Sequence, residues 1–215
     1  MLGVRSTTCN DLIYIETGLS DVKSVIIDRQ VKFLMKLRHH HQDGYIMKIL
    51  NIAINVRSPM GLRVQYLTNL ATVTSNSTEF MMKVKTGVLQ SQSSRRITYL
   101  QINPNLEVSP FLQTTGVTDI TEQCRIASTR LRLGSHYLRV ETGRWSRIPL
   151  EHRLCQCQTG IQNEDHVLLR CPLSQTLRAR LNIHCNSLHE LFNDNYLNLS
   201  VTAEYCLLIM NLYRT

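Results

Sequence analysis

Four metal-type side chains crowd into seventeen residues: Cys155-Gln-Cys157, then His166, then Cys171, a C-x-C-x8-H-x4-C spacing. No other feature restricts the fold as much. Zinc takes four soft or borderline ligands in a tetrahedron, and Cys and His supply them. If these four converge on one structural zinc ion, a short segment with little apolar surface is ordered by the metal. One residue between the first pair puts Cys155 and Cys157 on the same side of an extended strand. Both then reach one ion, with less freedom than a wider pair would have. The expected arrangement takes Cys155 and Cys157 from a turn, and His166 and Cys171 from a short helix after it. His152, three residues upstream of Cys155, is a substitute ligand. The same residues also fit a set of buried reduced thiols beside an incidental histidine, and the spacing leaves both readings open.

A chain of 215 residues with 43% hydrophobic residues can bury a core without disulfide staples. Its seven cysteines are an odd number, and no basic start, apolar core and cleavage site stand at the N-terminus. The cysteines are therefore expected to be reduced and the chain intracellular, in cytoplasm, nucleus or both. No stretch reaches the roughly 18–20 apolar residues of a membrane span. The nearest, residues 45–56, is short and contains Lys48.

Apolar spacing predicts a mainly α fold. It comprises a helical N-terminal region, a small irregular Cys/His segment stapled by zinc, and C-terminal helices. A short helix is expected over 11–19, started by Asn10 or Asp11 and ended at Gly18. Ser20 caps a longer one to about His41, with Val22, Ile26, Phe33 and Leu37 as its apolar stripe, widened by Ile27 and Leu34. Arg29, Lys32 and Lys36 form a neighbouring stripe, expected to be a solvated face. Helices over 45–57 and 60–72 flank Ser58-Pro59, a polar turn occupies 73–78, and helix resumes over about 78–100. Pro104, Pro110 and Gly116 mark 102–116 as a linker. Helices are expected over 117–133 and 173–182, with a helical turn over 164–171. Val201, Tyr205, Leu208 and Leu212 stripe the last helix. The organisation read from this is 1–101 helical, 102–116 linker, 117–182 Arg-rich with the Cys/His cluster, and 183–215 C-terminal helices.

The formal charge is +8, and its distribution is uneven. Residues 125–180 hold ten Arg against four acids, a balance of +6, and no Lys follows Lys85. Arg grips phosphate through two parallel hydrogen bonds, and aromatic faces stack on unpaired bases. Arg130, Arg132, Arg139, Arg144, Trp145 and Arg147 are therefore the candidate contacts to RNA or single-stranded DNA. The alternative for Trp145, the only tryptophan, is a core position. His39-His40-His41 fits a helix C-terminus, where partial positive charge is welcome, better than a chelate.

Catalytic patterns are missing from the sequence. There is no Asp-Asp pair for two-metal chemistry, and Glu164 and Asp165 are the only adjacent acids. Neither a phosphate-binding glycine loop nor a G-x-S-x-G elbow occurs. The chain is therefore expected not to be an enzyme. The enzymatic alternative would use His136 or His166 as acid or base, with Glu141, Glu151, Glu164 or Asp165.

Several words of the sequence resemble the region downstream of the polymerase domain in non-LTR (LINE-type, jockey-like) retrotransposon polyproteins. They are Leu2-Gly-Val-Arg5, Cys9-Asn-Asp11, Arg29-Gln-x-x-Phe33 and Tyr99-Leu-Gln-Ile-Asn-Pro104. The most specific block runs through Gly134-Ser-His136, Glu141-Thr-Gly-Arg144-Trp145, Arg153-Leu-Cys155-Gln-Cys157, Glu164-Asp-His166 and Cys171-Pro172. It is similar to the Cys/His segment that closes those polyproteins. The resemblance implies a zinc-binding element that holds nucleic acid beside a reverse transcriptase, with Cys155, Cys157, His166 and Cys171 at the metal-type positions. The family's Ala/Tyr-x-Asp-Asp polymerase loop does not occur here, nor does an endonuclease domain. The resemblance therefore implies a non-catalytic, nucleic-acid-binding fragment that supports RNA-directed DNA synthesis in a parent polyprotein. The alternatives are a protein-interaction module docking on a polymerase domain, and an inactive transposon remnant.

Overall fold

A computed structural model describes residues 2–40, 44–71, 75–113, 120–192 and 198–214. The protein is mainly helical, with no strand among the described residues. Two compact units form: Gly18–Gly87, and Met1–Thr17 together with Val88–Thr215. These boundaries differ from those read at 101, 116 and 182.

The unit Gly18–Gly87 contains α2 (Val22–His40), α3 (Tyr45–Asn55), α4 (Pro59–Leu70) and most of α5 (Asn76–Leu89). Ser58 starts α4 by accepting from the Gly61 amide at 3.1 Å, and Pro59 stands at the first helical position, where a missing N–H is harmless. Gly61 also permits the close α3–α4 approach, since a Cβ there would lie 2.0 Å from the Ala53 carbonyl oxygen. Ile27, Leu34, Val64 and Leu67 form the core, flanked by Val31, Leu50, Ile54 and Leu70. The α2 stripe is thus turned from the expected one. Ile27 and Leu34 are buried, whereas Val22, Ile26 and Phe33 are exposed. Arg29, Lys32 and Lys36 are exposed as expected. Asp28 on α2 caps α5 from outside, accepting from the amides of Asn76 (2.8 Å) and Ser77 (3.0 Å) and from Ser75 Oγ. Of the histidine run, His39 and His40 end α2, and His41 lies outside the described residues.

In the other unit, α8 (Glu122–Arg132) packs on α12 (Leu199–Leu212). Thr121 caps α8 by accepting from the Cys124 amide, and Arg130 and Arg132 occupy its last turn, where the helix dipole favours cations. The core joins Leu131, Leu138, Val167, Leu168, Tyr205, Cys206, Ile209 and Tyr213 to Cys155 and Cys171. On α12 the buried residues are Thr202, Ala203, Tyr205, Cys206 and Ile209, continuing to Tyr213. Leu212 of the expected stripe is 40% exposed, so the buried face lies one residue round from it.

The segment 102–113 packs, contrary to a linker's behaviour; 114–116 lie outside the described residues. Asn103 closes a turn on Glu107 through its side-chain oxygen and nitrogen, and Leu106 and Phe111 are buried. Here Pro104 and Pro110 bound a turn and a short helix, α7 (Pro110–Gln113). Glu16, at the end of α1 (Asn10–Thr17), is fully buried. It receives two hydrogen bonds from Arg132 and one from the hydroxyl of Tyr99, on α6 (Ser94–Ile102).

Candidate metal centre

The segment after α9 (Arg139–Trp145) is irregular and short on apolar residues, yet it is tightly bonded. An isolated antiparallel bridge pairs Leu154 with Ile161. Within this hairpin the Cys155 amide donates to the Gly160 carbonyl (2.8 Å), and the Gln158 amide to the Cys155 carbonyl (2.9 Å). The tight turn presents Cys155 and Cys157 together. Asn163 Oδ1 then accepts from the His166 amide at 2.9 Å and opens the next helical turn.

That turn is wider than an α-helix. Residues His166–Arg170 wind with a π-type repeat, closed by a 2.7 Å bond from the Cys171 amide to the His166 carbonyl. In an α-helix, side chains five apart point about 140° away from each other, given 3.6 residues per turn. The wider repeat brings positions 166 and 171 toward one face, which an H-x4-C pair needs to share an ion.

The four side chains converge. One ligand atom from each of Cys155, Cys157, His166 and Cys171 lies within 4.8 Å of the others. Cys155 Sγ and Cys171 Sγ are 3.7 Å apart, and Cys157 Sγ and His166 Nε2 are 3.1 Å apart. Tetrahedral zinc with Zn–S bonds of about 2.3 Å sets sulfurs about 3.8 Å apart. The donor set therefore fits a metal ion with small adjustment. His152 is exposed and stands apart from the cluster.

The centre's electrostatics are asymmetric. Burial pushes the Cys155 thiol up to about 11. Burial also acts to raise Cys157, but hydrogen bonds from Thr159 and His166 outweigh it and bring the thiol down to about 6. A cation would hold all the thiols as thiolates. Three supporting groups had no local signal in the sequence. The Tyr213 hydroxyl, beyond the end of α12, lies 2.9 Å from Cys171 Sγ. Thr159 Oγ1 lies 3.1 Å from Cys157 Sγ. Gly160 leaves room for the His166 ring, which a Cβ would meet at 3.0 Å from Nδ1.

The six expected nucleic-acid contacts are dispersed. Arg132 is buried in its ion pair with Glu16, at 3% side-chain exposure, and presents no donor to a phosphate. Its spacing on α8 aims it into the core, which the local sequence does not reveal. Arg130 is half-buried and donates from Nε to the Gly3 carbonyl. Arg139 is exposed and donates to the Leu154 carbonyl, beside a small cleft of about 190 Å³ that it shares with His152 and Arg153. Arg144 pairs with Glu141 and donates to Ser94 Oγ. Arg147 is exposed, on left-handed backbone at φ +55°. Trp145 is not a core residue, being 46% exposed. A residue outside the expected set connects part of it: the Arg5 guanidinium lies 4.3 Å from the Trp145 ring centroid and 4.0 Å from that of Tyr137.

His136, the acid–base candidate of the enzymatic alternative, is fully buried. Its Nε2 is 2.7 Å from Glu164 Oε1, and its Nδ1 accepts from the Leu138 amide. The ring is thus locked between partners. Burial acts to raise the Glu164 carboxyl, but His136 outweighs it and holds it below its ordinary value. Among the described residues, no helix is long and apolar enough to cross a membrane. Compared with known proteins, the chain matches no family model, no curated protein and no solved structure.

Proposed function

We propose that this chain is a non-catalytic nucleic-acid-binding module of the kind that closes LINE-type retrotransposon polyproteins. In this reading one structural zinc ion sits on Cys155, Cys157, His166 and Cys171. The observation that carries it is the convergence of those four ligand atoms within 4.8 Å, at the positions the family resemblance implies. The ion locks the hairpin and the π turn onto the α8–α12 core. The cationic side chains around that core, Arg5, Arg130, Arg139, Arg144 and Arg147, then meet the phosphates of RNA or single-stranded DNA. Trp145 supplies an aromatic edge. Arg132 belongs to the scaffold. The locked His136 supports a binding role over an acid–base one.

Two measurements test this together. Metal analysis of the purified chain should give one zinc per chain, lost in a Cys155→Ser/Cys171→Ser double variant. Titration with a single-stranded oligonucleotide should show affinity falling steeply with salt, because each neutralised phosphate releases counterions. A metal-free, fully folded wild-type chain, or a salt-insensitive complex, would refute the reading.

A second reading has its own observation. Tyr45, Ile46, Ile49, Ile52 and Val56 on and beside α3 are each more than half exposed. So broad an apolar helix face suits docking on another protein, such as a polymerase domain. Charged substitutions at Ile49 and Ile52 would then abolish that docking and leave oligonucleotide binding unchanged.

A further inference from the structure

The sequence offers no hint of the cleft between α8 and the end of α12. It measures about 320 Å³ and is lined by Gln123, Ile126, Ala127, Arg130, Tyr137, Leu207, Met210, Asn211 and Arg214. That size stands at the lower end of small-ligand sites, which run from about 300 to 1,000 Å³. Its chemistry is divided. Ile126 and Ala127 from α8 face Leu207 and Met210 from α12 and make an apolar floor. The rim carries Arg130 and Arg214, with amides at Gln123 and Asn211, and no carboxylate lines it among the described residues. Arg130 uses its Nε on the Gly3 carbonyl, which leaves its two terminal nitrogens for a ligand. Arg5 lies 4.0 Å over the Tyr137 ring and adds a third guanidinium at the same end. A hydrogen bond from Arg5 and its charge, with smaller contributions from Arg130 and Arg214, hold the Tyr137 phenol below its ordinary value against the effect of burial.

We propose that this cleft binds a nucleoside phosphate, with the base against Ile126, Ala127, Leu207 and Met210 and the phosphate held by Arg130 and Arg214. A cationic rim over an apolar floor matches an anion joined to a flat ring system whose faces, unlike its polar edges, can lie on apolar groups. The side-chain amides of Gln123 and Asn211 offer hydrogen bonds to base edges or sugar hydroxyls. Arg5 packs on the Tyr137 ring. The nucleotide is either free or one unit of a strand. The strand form deepens the nucleic-acid reading above and rests on it.

The test uses the full chain with methyl-labelled methionine, following the Met210 resonance at low salt. The additions are uridine 5′-monophosphate, uridine, inorganic phosphate and a uridine octanucleotide, each separately. The mononucleotide should shift Met210 saturably and bind at least tenfold more tightly than uridine or phosphate alone. Arg214→Gln should weaken it at least tenfold with an unchanged thermal midpoint. Asn211→Asp, which sets a carboxylate on the exposed rim, should do the same if Arg214→Gln proves unstable. Phosphate binding as tightly as the nucleotide, or no shift of Met210 with any nucleotide, overturns the proposal. The oligonucleotide separates the two readings. If it binds without moving Met210 and is indifferent to Arg214→Gln, the cleft is overturned and the nucleic-acid reading stands. If it fails to bind while the mononucleotide shifts Met210, the cleft holds for free nucleotides and the strand reading falls.

Discussion

Arg132 and the metal-type residues show how one side chain's surroundings decide its role. Arg132 has the chemistry of a phosphate contact, but Glu16 takes two of its donors in the interior. Burial acts to lower the guanidinium's pKa, and Glu16 outweighs it, so Arg132 stays charged. Removing one member of a buried ion pair strands the other and costs roughly 3–5 kcal/mol. Arg132→Ala should therefore lower the denaturant midpoint sharply, while the fraction that stays folded binds oligonucleotide as the wild type does. Arg147→Ala should do the reverse, weakening binding at unchanged stability. At the candidate metal centre, Tyr213 touches Cys171 Sγ from beyond α12. Groups that hydrogen-bond to metal ligands commonly change affinity by about 10–100-fold. If the cluster holds zinc as proposed, Tyr213→Phe should accordingly weaken it by about tenfold in a chelator competition, with one zinc per chain still bound at saturation. Gly160→Ala should weaken it too, because the added methyl presses on the His166 ring.

At the scale of elements, caps and turns matter more than propensity. The first turn of α5 depends on Asp28, which lies on a different helix. Partial burial acts to raise the Asp28 carboxyl, but hydrogen bonds from Ser75, Ser77 and Asn76 outweigh it and hold it well below the usual carboxylate range. A carboxyl depressed in the folded state stabilises fully above its unfolded value and loses that contribution as pH falls toward the folded one. Asp28→Ala should thus cost about 1–2 kcal/mol at pH 7. The gap between wild type and variant should narrow below about pH 4, near the ordinary aspartate value. Denaturant melts of both proteins across pH 2.5 to 7 would show it. A gap that stays constant over this range would mean the carboxylate charge contributes nothing. The π turn at His166–Arg170 is the other decisive element, since an α-helical repeat would separate positions 166 and 171.

For the molecule as a whole, the Cys/His segment and the α8–α12 core are one construction. The Tyr205 hydroxyl donates to the Leu168 carbonyl at 2.6 Å, and Cys155 and Cys171 belong to the same buried cluster as Ile209 and Tyr213. If the four ligands hold an ion, its loss should therefore be felt in α12. Chelation should speed amide exchange over 153–174 and also over 205–213, while Ile27 and Leu34 in the other unit keep their protection. Exchange confined to the hairpin alone would mean that the core holds α12 without the centre.

Local sequence determined a good part of this. The helical class, the short N-terminal helix, the Ser58-Pro59 start of α4 and the four converging metal-type residues were all legible, because caps, breaks and ligand spacing act over a few residues. Helix faces were legible only approximately. On α12 apolar residues lie nearly all round, and on α2 they spread wider than one stripe beside the basic face, so packing partners chose the buried side. Tertiary structure alone decided the fate of each arginine, the packing of 102–113, the supporting roles of Tyr213 and Gly160, and the cleft rimmed by Arg130 and Arg214. Each depends on residues far apart in the chain: Glu16 against Arg132, Cys171 against Tyr213, α8 against the end of α12. Charge and hydrophobicity belong to a residue, but burial and pairing belong to its neighbours in space, and those are set only when the core closes.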